Sequence, residues 1–240
     1  MDAFFAVGSA PAALRHLAGR RALLSFAYLD RFWTMADAVK LRAACIAMFL
    51  DSGAFTAWTR GTPIDLGAYL AFVEAHGAMW DHVAALDSID DWRQSVANWR
   101  AMLDRSARPV VPVYHEGEPI EVLDDYVAGA PYVGIGRTEG RRSKRKTLEL
   151  YDDVFNRHPT ARLHAFGCAD PECLEPYPWA SFDSTTWERD STYAAKHGWP
   201  WGRVSKATRM AAYVEATDGI EHRPPKQRTI MDAIRSTVAA

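Results

Sequence analysis

The chain has 240 residues, a formal net charge of −2, and 48% hydrophobic and 24% charged residues. These proportions are typical of a globular protein with a sizeable core, and they exclude a disordered tail, a collagen-like fibre and a coiled coil. The near-zero charge argues against binding to nucleic acid by bulk charge alone, although a local basic patch stays open. The aromatic fraction of 12% fits either core packing or the stacking walls of a nucleobase pocket.

Seven short apolar runs, each bounded by turn or charged residues, predict strands. Continuous apolar runs of this length are typical of parallel strands that are covered on both faces. An eighth strand is less clear, and its candidate position is near Trp199–Val204. The seven runs lie near Ala22–Tyr28, Ile46–Leu50, His82–Leu86, Val110–Tyr114, Tyr132–Ile135, Arg162–Phe166 and Trp179–Phe182.

Helical patterns fall between these strands. They cover Asp65–His76, Asp91–Arg105, Glu118–Val127 and Lys146–Phe155, and the second opens with a capping-box-like Asp91-x-x-Gln94. This alternation predicts an α/β protein, with a single (β/α)8 TIM barrel as the first choice and a doubly wound open sheet as the alternative. Residues 1–240 are expected to form one domain, with a core over about 20–205 and a C-terminal helical extension over 206–240.

The cysteines and apolar segments indicate the compartment. Cys45, Cys168 and Cys173 form neither a disulfide framework nor a CxxC pair, so we expect neither a secreted disulfide-rich domain nor a structural zinc site. The longest apolar run, Ala43–Leu50, is too short to span a membrane. The N-terminus has no basic n-region, so a signal peptide is not expected. These features predict a soluble, cytoplasmic protein without a metal or other cofactor.

Carboxylates follow three of the predicted strands directly. Asp51, Asp87 and Asp183 come after the second, third and seventh runs. In an α/β barrel the carboxyl ends of the strands form the active-site face, so these side chains are expected to meet. A lone Asp after a strand is usually a helix N-cap, but three that each directly follow a predicted strand favour a site. Two carboxylates in one pocket suggest glycosyl chemistry, with one as nucleophile and one moving protons.

Six motifs occur at the strand ends in a fixed order: DSGAF at 51–55, LD at 86–87, PVYHEG at 112–117, VGIG at 133–136, LHAFG at 163–167 and FDS at 182–184. Their order and spacing resemble those of the tRNA-guanine transglycosylase superfamily. The phrases LDSGAFTAW, YHEGE and YPWASFDSTTW resemble in particular its short phage-type branch, the DNA 7-deazaguanine transglycosylases. The resemblance covers roughly residues 20 to 190.

The resemblance implies a TIM-barrel enzyme that exchanges guanine in nucleic acid for a 7-deazaguanine. Asp183 matches the aspartate that attacks C1′, expels guanine and forms a covalent aspartyl-sugar intermediate. Asp51 matches the acid/base aspartate that takes a proton from the incoming base. Asp87 matches the aspartate that reads the Watson–Crick edge of the purine, a role that suits an acceptor-only carboxylate.

Further substrate-binding residues are implied in the same way. His115 stands where the family commonly has a glutamine that contacts the base carbonyl, and Gly134 and Gly136 match a glycine turn whose backbone contacts the base. Phe55 and Phe166 match the two walls that stack on the base, with core packing as the alternative for both. Gly167 follows Phe166 in the same strand-end motif and is included in the expected base site.

The substrate is expected to be DNA. The tRNA-modifying members carry a CxCxxC…H zinc subdomain, and this chain has no cysteine after Cys173. The expected partners are therefore DNA and a free 7-deazaguanine base, in the host cytoplasm if the protein is phage-encoded. Two alternatives stay open: the same exchange on tRNA, and a non-catalytic nucleobase-binding subunit of such an enzyme.

A basic run lies just after the predicted strand at Tyr132–Ile135. Such a run is often only a solvated face, but beside an active-site mouth it is also suited to binding phosphates. Arg203, Lys206 and Arg209 are candidates to extend this surface. The predicted nucleic-acid-binding residues of the run are Arg137, Arg141, Arg142, Lys144, Arg145 and Lys146.

Overall fold

The fold was analysed in a computed structural model of the chain. The structure describes residues 1–8, 10–29, 31–136, 144–168, 170–185, 187–188, 211 and 214. Within these residues, nine parallel strands form one sheet in the order β5-β4-β3-β2-β1-β9-β8-β7-β6. The strands are β1 Asp2–Val7, β2 Arg21–Ser25, β3 Ala47–Asp51, β4 His82–Ala84, β5 Val110–Val111, β6 Val113–His115, β7 Val133–Gly136, β8 Leu163–Ala165 and β9 Ser181–Ser184.

The two edges of this sheet meet at Pro112. β5 and β6 stand at opposite ends of the strand order, yet only Pro112 separates them along the chain. Proline has no N–H to donate, so it interrupts a strand without ending its course. Residues 110–115 therefore act as one strand that pairs first with β4 and then with β7. The sheet is a nearly closed barrel with eight strand positions, which confirms the predicted TIM-barrel fold.

Helices follow the strands and cover the barrel. Within the described residues they are α1 Ala10–His16, α2 Met35–Ala44, α3 Ala54–Arg60, α4 Leu66–His76, α5 Trp92–Leu103, α6 Ile120–Gly129, α7 Lys144–Arg157 and α8 Pro171–Leu174, with 3₁₀ turns at Phe26–Tyr28 and Gly77–Met79. Asp65 and Asp91 accept backbone N–H groups at the starts of α4 and α5, which is ordinary N-capping. No helix in the described part of the chain is long and apolar enough to cross a membrane.

The first strand corrects one prediction. β1 begins at Asp2 and pairs with β2 on one side and β9 on the other, so the barrel begins well before residue 20. This strand is buried from Ala3 to Val7, and at a chain end its apolar run has no preceding element to mark it as a strand. With β1, the eight positions are filled. The predicted strand near Trp199–Val204 and the extension over 206–240 lie outside the described residues, apart from positions 211 and 214.

Alternation along the strands separates two apolar layers. Outward residues such as Phe5 and Leu24 pack beneath the helices, while Phe4, Leu23 and Phe49 belong to a smaller cluster inside the barrel. Side chains two residues apart share a face of the sheet. The inward row of β3 therefore runs from Phe49 to Asp51 at its carboxyl end, so this strand contributes an apolar ring to the barrel interior and a carboxylate to its mouth.

Candidate active site

Three carboxylates lie at the mouth of the barrel. Asp51 ends β3, Asp183 lies in β9, and Asp87 follows β4 by three residues. Parallel strands present their carboxyl ends on one side, which brings these groups together. Their proximity has an electrostatic effect, because the negative charges of Asp87 and Asp183 both raise the pKa of Asp51.

Asp51 has the most unusual ionisation of the three. Burial is the largest cause and raises the pKa of its carboxyl to about 7, assisted by the charges of Asp87 and Asp183. The Ser25 hydroxyl and the Gly53 N–H oppose this shift, and the Gly53 nitrogen lies 3.1 Å from Oδ2 of Asp51. A carboxyl that titrates near neutral pH can both accept and donate a proton, as an acid/base group requires.

Gly53 allows the chain to turn at this point. It has φ +82°, and a Cβ there would lie 2.5 Å from Cβ of Ala27. Only glycine adopts this conformation at so close an approach without strain. The turn places Ser52 behind the mouth, where its hydroxyl donates to Oδ1 of Asp87 at 3.0 Å.

His115 lies between two carboxylates. Its Nε2 is 3.2 Å from Oδ2 of Asp87, its Nδ1 is 3.3 Å from Oε1 of Glu118, and its side chain is only 5% exposed. Burial by itself lowers the pKa of His115, but hydrogen bonds and charge from Asp87 and Glu118 outweigh it and raise the pKa to about 9. The imidazole is therefore a cation at neutral pH and donates from both nitrogens. It offsets the charge of Asp87 in the mouth.

The glycines of β7 make room for two rings. A Cβ on Gly136 would lie 2.5 Å from Nε2 of His115, and one on Gly134 would lie 2.3 Å from Cε2 of Phe166. Both contacts are far inside van der Waals distance, so only glycine fits while the two rings stay in place. The structure thus gives both glycines a packing role beside the site, in addition to the backbone contact with a base that the resemblance implies.

The carboxylate of Asp183 is held by two hydrogen bonds. Oδ1 lies 3.2 Å from Nε2 of His164 and accepts the Gly167 N–H at 2.8 Å. Among the described residues, both hydrogen bonds of Asp183 fall on this oxygen. Gly167 has φ +61°, and a Cβ there would meet no atom within 4 Å. Because its N–H donates to Oδ1, Gly167 helps to hold the carboxylate of Asp183.

The two phenylalanines differ in environment. Phe166 is half-buried, and its ring lies 4.4 Å from the His164 ring and 5.6 Å from the Phe49 ring. Phe55 is 48% exposed at the start of α3, and its ring centroid lies 6.1 Å from that of Trp58. Phe166 therefore packs inside the barrel mouth, while Phe55 is presented on its rim.

Only part of the basic run can be located. Arg137, Arg141 and Arg142 lie outside the described residues, and Lys144, Arg145 and Lys146 open α7. Lys144 pairs with Asp170 and Glu172, and Arg145 pairs with Glu149. Exposed ion pairs of this kind are worth only about 0–1 kcal/mol, so a phosphate can compete for these cations.

Sequence reasoning did not place two residues that contact the site among its catalytic or binding residues. Glu118 has a signal, since it stands three residues after His115 within the same turn. His164 also has one, because it is the inward residue of β8, but only the closed barrel places it on Asp183. A cavity of about 770 Å³ lies between the segment that follows β6 and helix α7, with Tyr114, Glu118 and Lys146 among its lining residues, and none of the three aspartates lines it. In the described part of the chain, no three His, Cys, Asp or Glu residues are grouped to hold a metal.

Comparison with known proteins gives a fold and no closer relationship. No protein-family model and no curated protein sequence matches the chain. A protein of Coccidioides immitis described as a fructose-1,6-biphosphate aldolase is similar in structure, with TM-score 0.56, 14% identity and coverage of 91% of this chain and 90% of that chain. The YdjI aldolase of Escherichia coli K12 has TM-score 0.51 and 12% identity, covering 92% and 90%. An N-acetylneuraminate lyase of Mycoplasma synoviae has TM-score 0.56 and 8% identity, covering 99% and 95%. Such low identities support the barrel fold alone.

Proposed function

We propose that the chain is a DNA-guanine transglycosylase, which exchanges guanine in DNA for a 7-deazaguanine base through a covalent aspartyl-sugar intermediate. The observation that carries the proposal is the pairing of two unlike carboxyls in one mouth. Asp51 has its pKa raised to about 7 by burial, whereas Asp183 accepts an N–H from Gly167. That hydrogen bond holds one oxygen of the Asp183 carboxylate in a fixed position. One group is thus suited to move protons and the other to attack.

The first half-reaction uses both groups. Asp183 attacks C1′ of the target nucleotide through Oδ2, and the bond from C1′ to the guanine ring nitrogen breaks. The bonding pair leaves with guanine, which takes a proton from the neutral Asp51 carboxyl. The sugar is then an ester of Asp183, a split of one hard step into two easier ones.

In the second half-reaction Asp51 acts as a base instead of an acid. Its carboxylate takes the ring N–H proton of the incoming 7-deazaguanine, and the base nitrogen attacks C1′. The ester bond to Asp183 breaks and the carboxylate is released. No redox or metal group is needed for the electron balance of these two displacements, and C1′ retains its configuration because it is inverted twice.

Recognition of the purine is proposed to rest on Asp87 and His115. A carboxylate can accept both the ring N–H and the exocyclic amine of guanine, which a carbonyl-bearing pyrimidine edge does not offer. The cationic His115 lowers the cost of keeping Asp87 charged in a buried mouth. Flipping the target base out of a duplex costs a few kcal/mol, part of which stacking on Phe55 or Phe166 returns.

The test is release of labelled guanine. Duplex DNA and tRNA that carry tritiated guanine are incubated separately with the protein and a panel of free 7-deazaguanines, and released label and incorporated base are measured by scintillation counting and nucleoside mass spectrometry. The proposal expects at most one equivalent of guanine released per protein without a free base, continued release from DNA only when a free base is present, loss of release in D183N, and normal release in D124N, a matched change on the outer helix α6.

The alternatives give different results in the same assay. Exchange into tRNA with none into DNA identifies the RNA enzyme. Binding of the free base with no release from either nucleic acid identifies a non-catalytic base-binding subunit. Undiminished exchange by D183N would remove Asp183 from the role of nucleophile.

A further inference from the structure

A buried chain of polar side chains runs beneath Asp183. His164 has 0% exposure and places Nε2 at 3.2 Å from Oδ1 of Asp183. Its Nδ1 makes a hydrogen bond with the hydroxyl of Ser181 and lies 3.4 Å from the hydroxyl of Tyr132, and the two hydroxyls bond to each other. The chain Tyr132–Ser181–His164–Asp183 links strand β9, strand β8 and the residue before β7 across the inside of the barrel.

The donor of each hydrogen bond in this chain follows from the number of protons that each group carries. Asp183 as a carboxylate only accepts, so Nε2 of His164 must carry the proton of that bond. In a neutral ring Nδ1 then has no proton and accepts from Ser181. The Ser181 oxygen is free to accept from Tyr132. Burial raises the pKa of the Tyr132 hydroxyl, so this residue keeps its proton and acts as the first donor.

The packing around His164 leaves the ring no other orientation that preserves these bonds. Its centroid lies 5.0 Å from that of Phe49, 4.4 Å from Phe166 and 6.0 Å from Phe4. Aromatic rings on several sides fix the plane of the imidazole, the carboxylate of Asp183 requires the proton on Nε2, and the hydroxyl of Ser181 can donate to Nδ1. The ring therefore holds Oδ1 of Asp183 in place.

We propose that His164 is a positioning residue for Asp183, and that Ser181 and Tyr132 hold its imidazole in the neutral, Nε2-protonated tautomer. The proposal rests on the proposed function, because the carboxylate that His164 holds by Oδ1 is the one whose other oxygen would attack C1′. The rate of a nucleophilic attack falls steeply when the attacking carboxylate is free to move away from its productive orientation. His164 does not touch the substrate in this account.

The tautomer is tested first, by a measurement that needs no substrate. Protein labelled with ¹⁵N-histidine is studied by long-range ¹H–¹⁵N correlation, with H164Q used to assign the His164 signals. The expected spectrum is that of a ring protonated on Nε2 with Nδ1 as a hydrogen-bond acceptor. The double variant S181A/Y132F removes both hydroxyls within reach of Nδ1, and the Nδ1 resonance of His164 is expected to move to that of a nitrogen without a hydrogen bond. A ring protonated on Nδ1 alone, or a spectrum of the double variant identical to that of the wild type, would overturn the proposal.

The kinetic consequence is tested with three variants. H164L removes the donor to Asp183, H164Q keeps an amide donor of similar reach, and H82L is the matched control. His82 is a second imidazole inside the barrel, 5.4 Å from the Phe49 ring, and none of its contacts among the described residues is with Asp183. We expect kcat for guanine release to fall roughly 10- to 100-fold in H164L, the size typical of residues that orient a functional group from behind.

The remaining outcomes separate this proposal from the proposed function. H164Q should recover a good part of the H164L loss, and KM for the free base should be unchanged in both, while H82L should turn over at the wild-type rate. An H164L protein that is folded and fully active would refute positioning while leaving transglycosylation intact. A wild-type protein that releases no guanine would refute the proposed function, and the tautomer result would then decide the structural part by itself.

Discussion

Replacing Asp51 by Asn should make the protein more stable at alkaline pH. Burial raises the pKa of this carboxyl from its ordinary 3.8 to about 7. The unfolded chain releases the proton near pH 4, and the folded protein holds it until about pH 7. Between these values the folded state binds more protons, so stability falls as pH rises, and the loss is complete above pH 7.

The size of this loss follows from the shift. A difference of roughly 3 pKa units at about 1.4 kcal/mol each gives ~4 kcal/mol at pH 8. At pH 5, little more than one unit of the shift has been expressed, which gives under ~2 kcal/mol. Asn keeps the shape of Asp but weakens the bond to the Gly53 N–H, at a cost of about 1 kcal/mol. D51N is therefore expected to gain about 3 kcal/mol at pH 8 and about 1 kcal/mol or less at pH 5.

The assay is guanidinium unfolding of wild type and D51N at pH 5, 6, 7 and 8. The control is D124N, because Arg157 is the main cause that lowers the pKa of Asp124 to about 2, and removal of that carboxylate should give no gain at pH 8. A difference between D51N and wild type that stays flat with pH, or a D51N protein that is no more stable at pH 8, would refute the reasoning. The same variant should lose base exchange, so stability would be gained where activity is lost.

Three further predictions concern the site and its rim. G136A places a methyl group 2.5 Å from the His115 ring. It should lower the free energy of unfolding by about 1–3 kcal/mol, measured by denaturant unfolding, and lower the pKa of His115, measured by NMR titration. The control G77A, where the added carbon would meet its nearest neighbour at 3.6 Å, should leave the stability nearly unchanged. The pKa of His115 is raised from 6.5 to about 9, so its stabilising contribution is complete below pH 6.5 and is lost as pH rises through 9. The wild type should therefore lose more stability than H115Q between pH 6 and 10. Equal losses in the two proteins would contradict the ion pair with Asp87. K146A should weaken duplex binding and reduce the salt slope by about 1, while K40A on α2 should leave both unchanged; equal effects of the two would mean that α7 does not contact phosphate.

The strand ends could be predicted because of a simple geometric rule. Asp51 continues the inward row of Phe49, and Asp183 continues that of Ser181, so residue order alone brings both carboxylates to one mouth once a parallel barrel is assumed. The first strand was missed because an apolar run at the chain end resembles any short buried segment. The division of 110–115 at Pro112 depends on which neighbour each half pairs with, and sequence periodicity carries no such information.

The electrostatics of the site were less accessible. The cation at His115 requires Asp87 from one loop and Glu118 from another turn, and the sequence shows only the second of these spacings. The contact between His164 and Asp183 depends on two strands 19 residues apart along the chain and on the side-chain orientations that the surrounding rings impose. The requirement for glycine at position 136 likewise becomes clear only when the structure shows the His115 ring packed against it.

The most direct test of the account is to trap the covalent intermediate. The protein is mixed with duplex DNA without any free 7-deazaguanine, quenched in acid, digested with nuclease and protease, and analysed by peptide mass spectrometry. The account predicts a deoxyribose-bearing adduct on the peptide that contains Asp183, absent in D183N and discharged when a free base is added. Base exchange in the wild type without such an adduct, or an adduct on another residue, would contradict it.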